Sequence, residues 1–323
     1  MDKVKMKSMP EMGRLQEASE RFLSQVSQVI VGKEKTVELL FMALLCEGHV
    51  LLEDVPGTGK TMLAKAAARS LDCSFSRIQC TPDLLPSDVT GIHYFNQKNS
   101  EFEFRPGPVM ANIVLVDEIN RAMPRTQSCL LECMQEQQIS LDIETFPLPR
   151  PFMILATQNP IELEGTFPLP EAQLDRFLLK ANLGYPSAEE EGAILSRFRQ
   201  NDPLDRLASI LPLSEIVELQ GLRHRVFVED SVRDYIVAVN RATRDHPDIR
   251  LGTSTRSSLG LQSACQARAG CKGRDYVIPD DVKALAVPVL AHRIIAKTEA
   301  RLRGRTEADM INEILDTVPV PAE

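Results

Sequence analysis

The sequence predicts an α/β domain, a parallel sheet flanked by helices, followed by an all-helical domain, with the boundary between residues 184 and 185. Three observations carry this expectation. Apolar runs at 50–52, 111–116 and 152–156 have strand length, and each ends in a polar or glycine-rich cluster, as strands buried on both faces do. Helix-like stretches separate them, so the order alternates. Beyond Gly184-Tyr185-Pro186-Ser187 the strand-like runs stop, and helical patterns occupy 187–200, 214–221, 231–246, 254–270 and 279–297.

Taken in order, residues 1–12 read as a tail or the start of a helix. From Arg14 to Val29 the apolar positions Leu15, Ala18, Phe22, Leu23 and Val26 recur at helical spacing. Gly32 permits a sharp turn into a second helix over 34–46, and Val31 and Gly32, lying ahead of the glycine loop, are candidates for a base-binding pocket. Val50–Leu52 is the next strand. It leads into Val55, Pro56, Gly57, Thr58, Gly59, Lys60, Thr61 and Met62, and the Ala- and Leu-rich stretch to Leu71 favours helix. A strand–loop–helix of this kind aims backbone N–H groups and a helix N-terminus at one point, which suits a polyphosphate. Lys60 adds a point charge and Thr61 a hydroxyl for Mg²⁺. This is a Walker A loop with one departure, Asp54 where the pattern has glycine; at the mouth of the loop a side chain is easily accommodated.

Residues 74–81 form the second strand, and 81–88 a short helical turn between prolines. Two short aromatic strands around the polar turn 96–100 make a hairpin over 91–108, either packed or touching a partner. The run 111–116 ends in Asp117-Glu118, an acidic pair at the carboxyl end of a buried parallel strand. Asp117 is placed there for the magnesium shell and Glu118 for the attacking water. A helix follows over 124–138 and a second hairpin over 139–149. The strand 152–156 leads to Asn159, an amide able to bond a γ-phosphate and the lytic water, or simply part of an Asn-Pro turn. A Gly/Pro/Glu-rich loop spans 161–170, and 171–177 is a short helix carrying Arg176. Either Arg176 pairs with a neighbouring acid, or it reaches a neighbouring subunit's phosphate. Ser187 caps the next helix. Arg256 falls in the first turn of a later helix, where a cation is unfavourable unless an anion, phosphate or carboxylate, sits beside it.

Composition narrows the class. With 37 Lys+Arg against 45 Asp+Glu the net charge is −8, which opposes non-specific adhesion to nucleic acid or anionic membrane. The seven cysteines form no C-x-x-C pair and have no histidine at zinc-ligand spacing, so they read as reduced thiols of a cytoplasmic protein. No apolar run has signal-peptide or membrane-spanning length.

Over nearly the whole chain the residues resemble the MoxR family of AAA+ ATPases. The likeness rests on Glu53-Asp-Val-Pro-Gly-Thr-Gly-Lys-Thr61, Val116-Asp-Glu-Ile-Asn-Arg-Ala122, Ala156-Thr-Gln-Asn-Pro160 and Gly165-Thr-Phe-Pro-Leu-Pro-Glu-Ala-Gln-Leu-Asp-Arg-Phe177. The Asp54 departure is common in that family. The resemblance implies an AAA+ P-loop NTPase core with β-hairpin inserts and an all-α lid, assembled into rings, usually hexamers, with ATP and Mg²⁺ between subunits. It implies Walker B roles for Asp117 and Glu118, sensor 1 for Asn159, an arginine finger in trans for Arg176 and sensor 2 on the lid for Arg256. The first hairpin would be the helix-2 insert and the second the pre-sensor-1 hairpin. Relatives act as chaperone-like remodellers, often with a separate protein carrying a von Willebrand factor A domain. Two other functions compete: a nucleic-acid-stimulated motor, opposed by the acidic balance, and a nucleotide-dependent scaffold with little turnover, opposed by Glu118 and Arg176.

Overall fold

The computed structural model describes residues 9–141, 144–159, 165–199 and 202–321. The expectations for the tail up to residue 8, the tip of the second hairpin, loop residues 161–164 and residue 200 lie outside them. Helix α1 (Met9–Val26) buries Leu15, Ala18, Phe22 and Val26, the face its spacing predicted. It packs on α2 (Glu34–Leu45), with Phe22 stacked on Phe41 at 4.9 Å. The chain then passes through β1 (Val50–Glu53), the glycine loop, α3 (Lys60–Ser70), β2 (Phe75–Gln79) and α4 (Pro86–Thr90). A hairpin of β3 (Gly91–Asn96) and β4 (Glu101–Pro106) precedes β5 (Ile113–Asp117) and α5 (Pro124–Glu136). A second hairpin, β6 (Gln138–Leu141) and β7 (Glu144–Pro147), leads to β8 (Met153–Gln158), α6 (Glu171–Leu174) and β9 (Leu179–Ala181).

Five strands form one parallel sheet in the order β2-β5-β8-β1-β9. Successive side chains of β5 enter opposite cores: Ile113 and Leu115 face α1, α2 and α3, while Val114 and Val116 face α5. Burial on both faces is what a continuous apolar run requires. β9 was not predicted from the sequence. It has three residues with Lys180 in the middle, too short to show a period, and parallel pairing with β1 alone makes it a strand.

The C-terminal part is helical, as predicted: α7 (Ala188–Arg197), α8 (Leu213–Arg223), α9 (Asp230–Asp245), then a strand β10 (Ile249–Leu251), α10 (Thr255–Cys271) and α11 (Pro279–Leu290). A second short strand β11 (Ile295–Ala296) pairs antiparallel with β10, and α12 (Thr298–Leu302) and α13 (Glu307–Thr317) follow. The helix expected to reach 297 runs through Pro288, ends at Leu290 and gives way to a 3₁₀ turn over Ala291–Arg293. Ser187 does cap α7, its hydroxyl accepting from Glu190 N at 3.2 Å. The apolar cluster on the α1 face of the sheet runs without a break through α8, α9, α10, α11 and α13. Helix α1 crosses α10 at Gly270, where a Cβ would lie 2.7 Å from the Leu15 Cδ1 methyl, so a larger residue there would have to turn Leu15 aside.

The first hairpin divides its aromatics between packing and exposure. Phe104 stacks on Phe146 at 4.3 Å, joining the two hairpins, whereas Phe102 is 75% exposed at the outer end of the first. Gly91 (φ 103) closes the base of that hairpin, where a Cβ would lie 2.3 Å from Arg105 O.

His49, just before β1, is fully buried; Nε2 faces Met134 O at 3.0 Å and Nδ1 accepts from Ile154 N at 3.0 Å. That pattern fits only the neutral ring, and burial pushes its pKa down to about 4. Between the ordinary value of 6.5 and about 4 the unfolded chain takes up a proton that the folded one refuses, so stability falls as pH falls through that window. The expected loss from this group is about 3 kcal/mol by pH 4. Denaturant midpoints measured from pH 7 to 4 should show a shallower slope for His49→Gln than for the unsubstituted chain.

Candidate nucleotide-binding site

At the carboxyl ends of β1, β5 and β8 lies a cleft of about 360 Å³. Its walls are the glycine loop from Pro56 to Met62, the acidic pair Asp117 and Glu118, and Asn159 at the tip of β8. Gly57 (φ 84) and Gly59 (φ 92) adopt a left-handed backbone with nothing within 4 Å of where a Cβ would be, leaving a bare cradle beside the first turn of α3. Lys60 Nζ donates to the carbonyls of Asp54 (3.0 Å) and Val55 (2.8 Å). Burial lowers its pKa, and the nearby charges of Asp54, Asp117 and Glu118 oppose that shift. Val55 thus contributes a carbonyl to the loop rather than a wall to the cleft.

Asp117 is buried, with Oδ1 accepting from Thr157 Oγ1 at 3.1 Å and Oδ2 from Arg77 Nε at 2.7 Å. The Thr157 hydroxyl also accepts from Glu118 N at 2.8 Å, so one side chain of β8 fixes both acidic residues at the end of β5. Glu118 has a left-handed backbone, φ 55, unusual for a residue with a side chain and a known mark of functional sites. Its carboxylate accepts from Arg121 at 3.0 Å and from Gln79 at 3.3 Å. Arg77, Gln79, Arg121 and Thr157 were not singled out in the sequence. Arg77 and Gln79 share one face of β2, but only the strand order puts that face beside Asp117.

The residues present fit a magnesium nucleotide. An open cradle of backbone N–H groups, a lysine with no carboxylate partner among the described residues, one buried carboxylate and the Thr61 hydroxyl match the sparse protein ligation of Mg²⁺, whose shell is completed by phosphates and water.

Two of the predicted residues lie elsewhere. Arg176 and Arg256 line a second cleft, of about 280 Å³, together with Glu47, His49 and Arg293. That cleft opens at the amino end of β1, so the strand's four residues, about 13 Å, separate it from the phosphate loop. Among the described residues neither Arg176 nor Arg256 makes an ion pair or a side-chain hydrogen bond. The acid beside Arg176 is occupied elsewhere: Asp175 pairs with Arg293 at 3.0 Å and accepts from Ser254 Oγ at 3.0 Å. It is therefore a carboxylate held beside the N-terminus of α10 by the Ser254 and Ser257 hydroxyls, placing negative charge at the helix start while Arg256 stays exposed.

Val31 and Gly32 also lie outside the phosphate cleft. Gly32 abuts Glu190 of α7, whose carboxylate is held by Lys33 at 3.4 Å. Asp54 differs from its expected place at an open mouth. It is 7% exposed, and Oδ2 accepts from Leu183 N (2.5 Å) and Gly184 N (3.0 Å), so it ties the phosphate loop to the segment after β9. A glycine there would leave those two donors without this acceptor.

Comparison with known proteins places this geometry in a family. Residues 49–179 match the model of the ATPase family associated with various cellular activities (AAA), and residues 241–314 match that of the AAA lid domain. The chain is 49% identical to the protein YeaC of Bacillus subtilis over 301 residues, 93% of this chain and 94% of that one. It is 44% identical to chaperone MoxR1 of Mycobacterium tuberculosis over 311 residues, 94% of this chain and 82% of that one. A crystal structure of a candidate ATPase from Cytophaga hutchinsonii superposes with a TM-score of 0.90 at 38% identity, covering 98% of this chain and 97% of the other. Among the described residues no helix is long and apolar enough to cross a membrane.

Proposed function

Because the chain belongs to the MoxR family of AAA+ ATPases, we propose that it hydrolyses ATP at sites shared between neighbouring copies in a ring, usually of six, and uses the cycle to remodel or activate a partner protein. The partner would be a cytoplasmic client or a separate protein with a von Willebrand factor A domain. In this reading residues 1–184 are the nucleotide-binding core and 185–323 the lid. The observation that carries it is the separation of the cationic pair Arg176 and Arg256 from the phosphate loop of their own chain. Two arginines at the amino end of the sheet, unpaired among the described residues, do not reach a cleft at its carboxyl end, but they suit the cleft of an adjacent copy.

Each residue then has a task. The glycine loop and Lys60 bind the β- and γ-phosphates, and Thr61 and Asp117 hold Mg²⁺, which neutralises charge on the phosphate oxygens. Glu118 orients a water and takes its proton as the water oxygen bonds to the γ-phosphorus and the bond to the bridging oxygen breaks. Asn159 hydrogen-bonds the γ-phosphate without adding charge. A neighbour's Arg176 and Arg256 stabilise the negative charge that develops. Phosphate release measured against protein concentration tests this: specific activity should rise steeply through the range where the protein assembles. Brisk hydrolysis by a monomer at saturating nucleotide would refute it.

A further inference from the structure

We infer that Arg77 is a built-in competitor for the magnesium position on Asp117. The inference rests on the nucleotide-site reading above. Both oxygens of Asp117 are engaged and both partners line the cleft, but Oδ1 meets the buried, neutral hydroxyl of Thr157 and Oδ2 the half-exposed guanidinium of Arg77 on the solvent side. The side that meets the ligand is therefore the side that Arg77 covers. A divalent cation or its inner waters would need that same oxygen at a distance where a second cation is strongly repelled.

The pair is poorly explained as a stabilising contact. The Arg77 side chain is half exposed, and ion pairs of that kind contribute little to folding. Its effect is local. While the cleft holds no metal, Arg77 offsets the buried charge of Asp117, and Lys60 is turned toward loop carbonyls instead. Gln79 fixes the arginine through a 2.8 Å bond from Nη2 to its side-chain oxygen, holding the guanidinium at the cleft wall. A bare metal ion must displace Arg77 unaided, whereas a metal already carried by phosphates brings ligands that share the cost. When the phosphates leave, Arg77 re-pairs with Asp117 and promotes loss of the ion. Arg77 thus acts as a positioning residue that makes metal occupancy conditional on nucleotide.

The test uses the full chain with saturating ADP and Mn²⁺ as a paramagnetic stand-in for Mg²⁺, with free ion followed by electron paramagnetic resonance. Arg77→Gln should lower the half-saturating Mn²⁺ concentration about five-fold, near the upper range for a half-exposed pair, and Arg77→Lys should fall between it and the unsubstituted protein. A disrupted fold could not produce such a gain in affinity. Unchanged or weaker Mn²⁺ binding by Arg77→Gln, with ADP still bound, would overturn the competition alone. Absence of ADP-dependent Mn²⁺ binding in the unsubstituted protein, or its persistence in Asp117→Asn, would remove the site reading and the competition with it.

Discussion

Glu118→Gln should keep nucleotide binding close to that of the unsubstituted protein and lower kcat by about 10² to 10⁴. The amide fills the same space and can still accept from Arg121 and Gln79, which hold the carboxylate at 3.0 and 3.3 Å, so the left-handed turn at residue 118 should survive. What it cannot do is take a proton from water. Loss of turnover with an unchanged dissociation constant for a fluorescent ATP analogue separates this chemical defect from a folding defect. A fall in kcat of less than ten-fold would mean that another group activates the water.

Arg176→Ala should lower turnover by about 10³ or more, the scale on which an arginine supplied in trans acts in related NTPases. Stability should barely change, because among the described residues the side chain forms no ion pair or hydrogen bond whose loss would leave a partner buried. Mixing makes the result diagnostic. Lys60→Ala removes the phosphate lysine and Arg176→Ala the opposing cation, so each variant alone should be idle. Mixed assemblies contain some sites with Lys60 from one copy and Arg176 from the next, and these should hydrolyse ATP. If mixing restores nothing, both residues serve the same subunit's site, and the 13 Å separation across β1 would have to close by rearrangement.

The parts of the site legible in the sequence were those whose chemistry is local. The glycine loop, the acidic pair after β5 and Asn159 after β8 are each defined by a few adjacent residues at a strand end, and the structure brings them into one cleft. Residues that act through strand order were not legible. Thr157 matters because β8 lies beside β5, and Arg77 because β2 lies on the other side of it, and neither neighbour can be read from spacing. Asp54 was misplaced for the same reason. Its partners, Leu183 and Gly184, are about 130 residues away, beyond a strand too short to announce itself. The helices of the C-terminal part were legible because burial of one face imposes its period. The β10–β11 ribbon was not, since its strands of three and two residues carry no period.

The unbroken apolar cluster beneath the sheet has a mechanical meaning. Leu15 against Gly270, Phe22 against Phe41 and the continuation of that cluster to Ile314 weld the first helix, the sheet and the C-terminal helices into a single block. Close-packed interiors shift between discrete arrangements rather than flexing smoothly, so such a block resists folding at its waist. In the proposed ring, motion driven by the cleft would then be directed outward, to the seams where one copy meets the next, each copy acting as a stiff lever instead of a jaw.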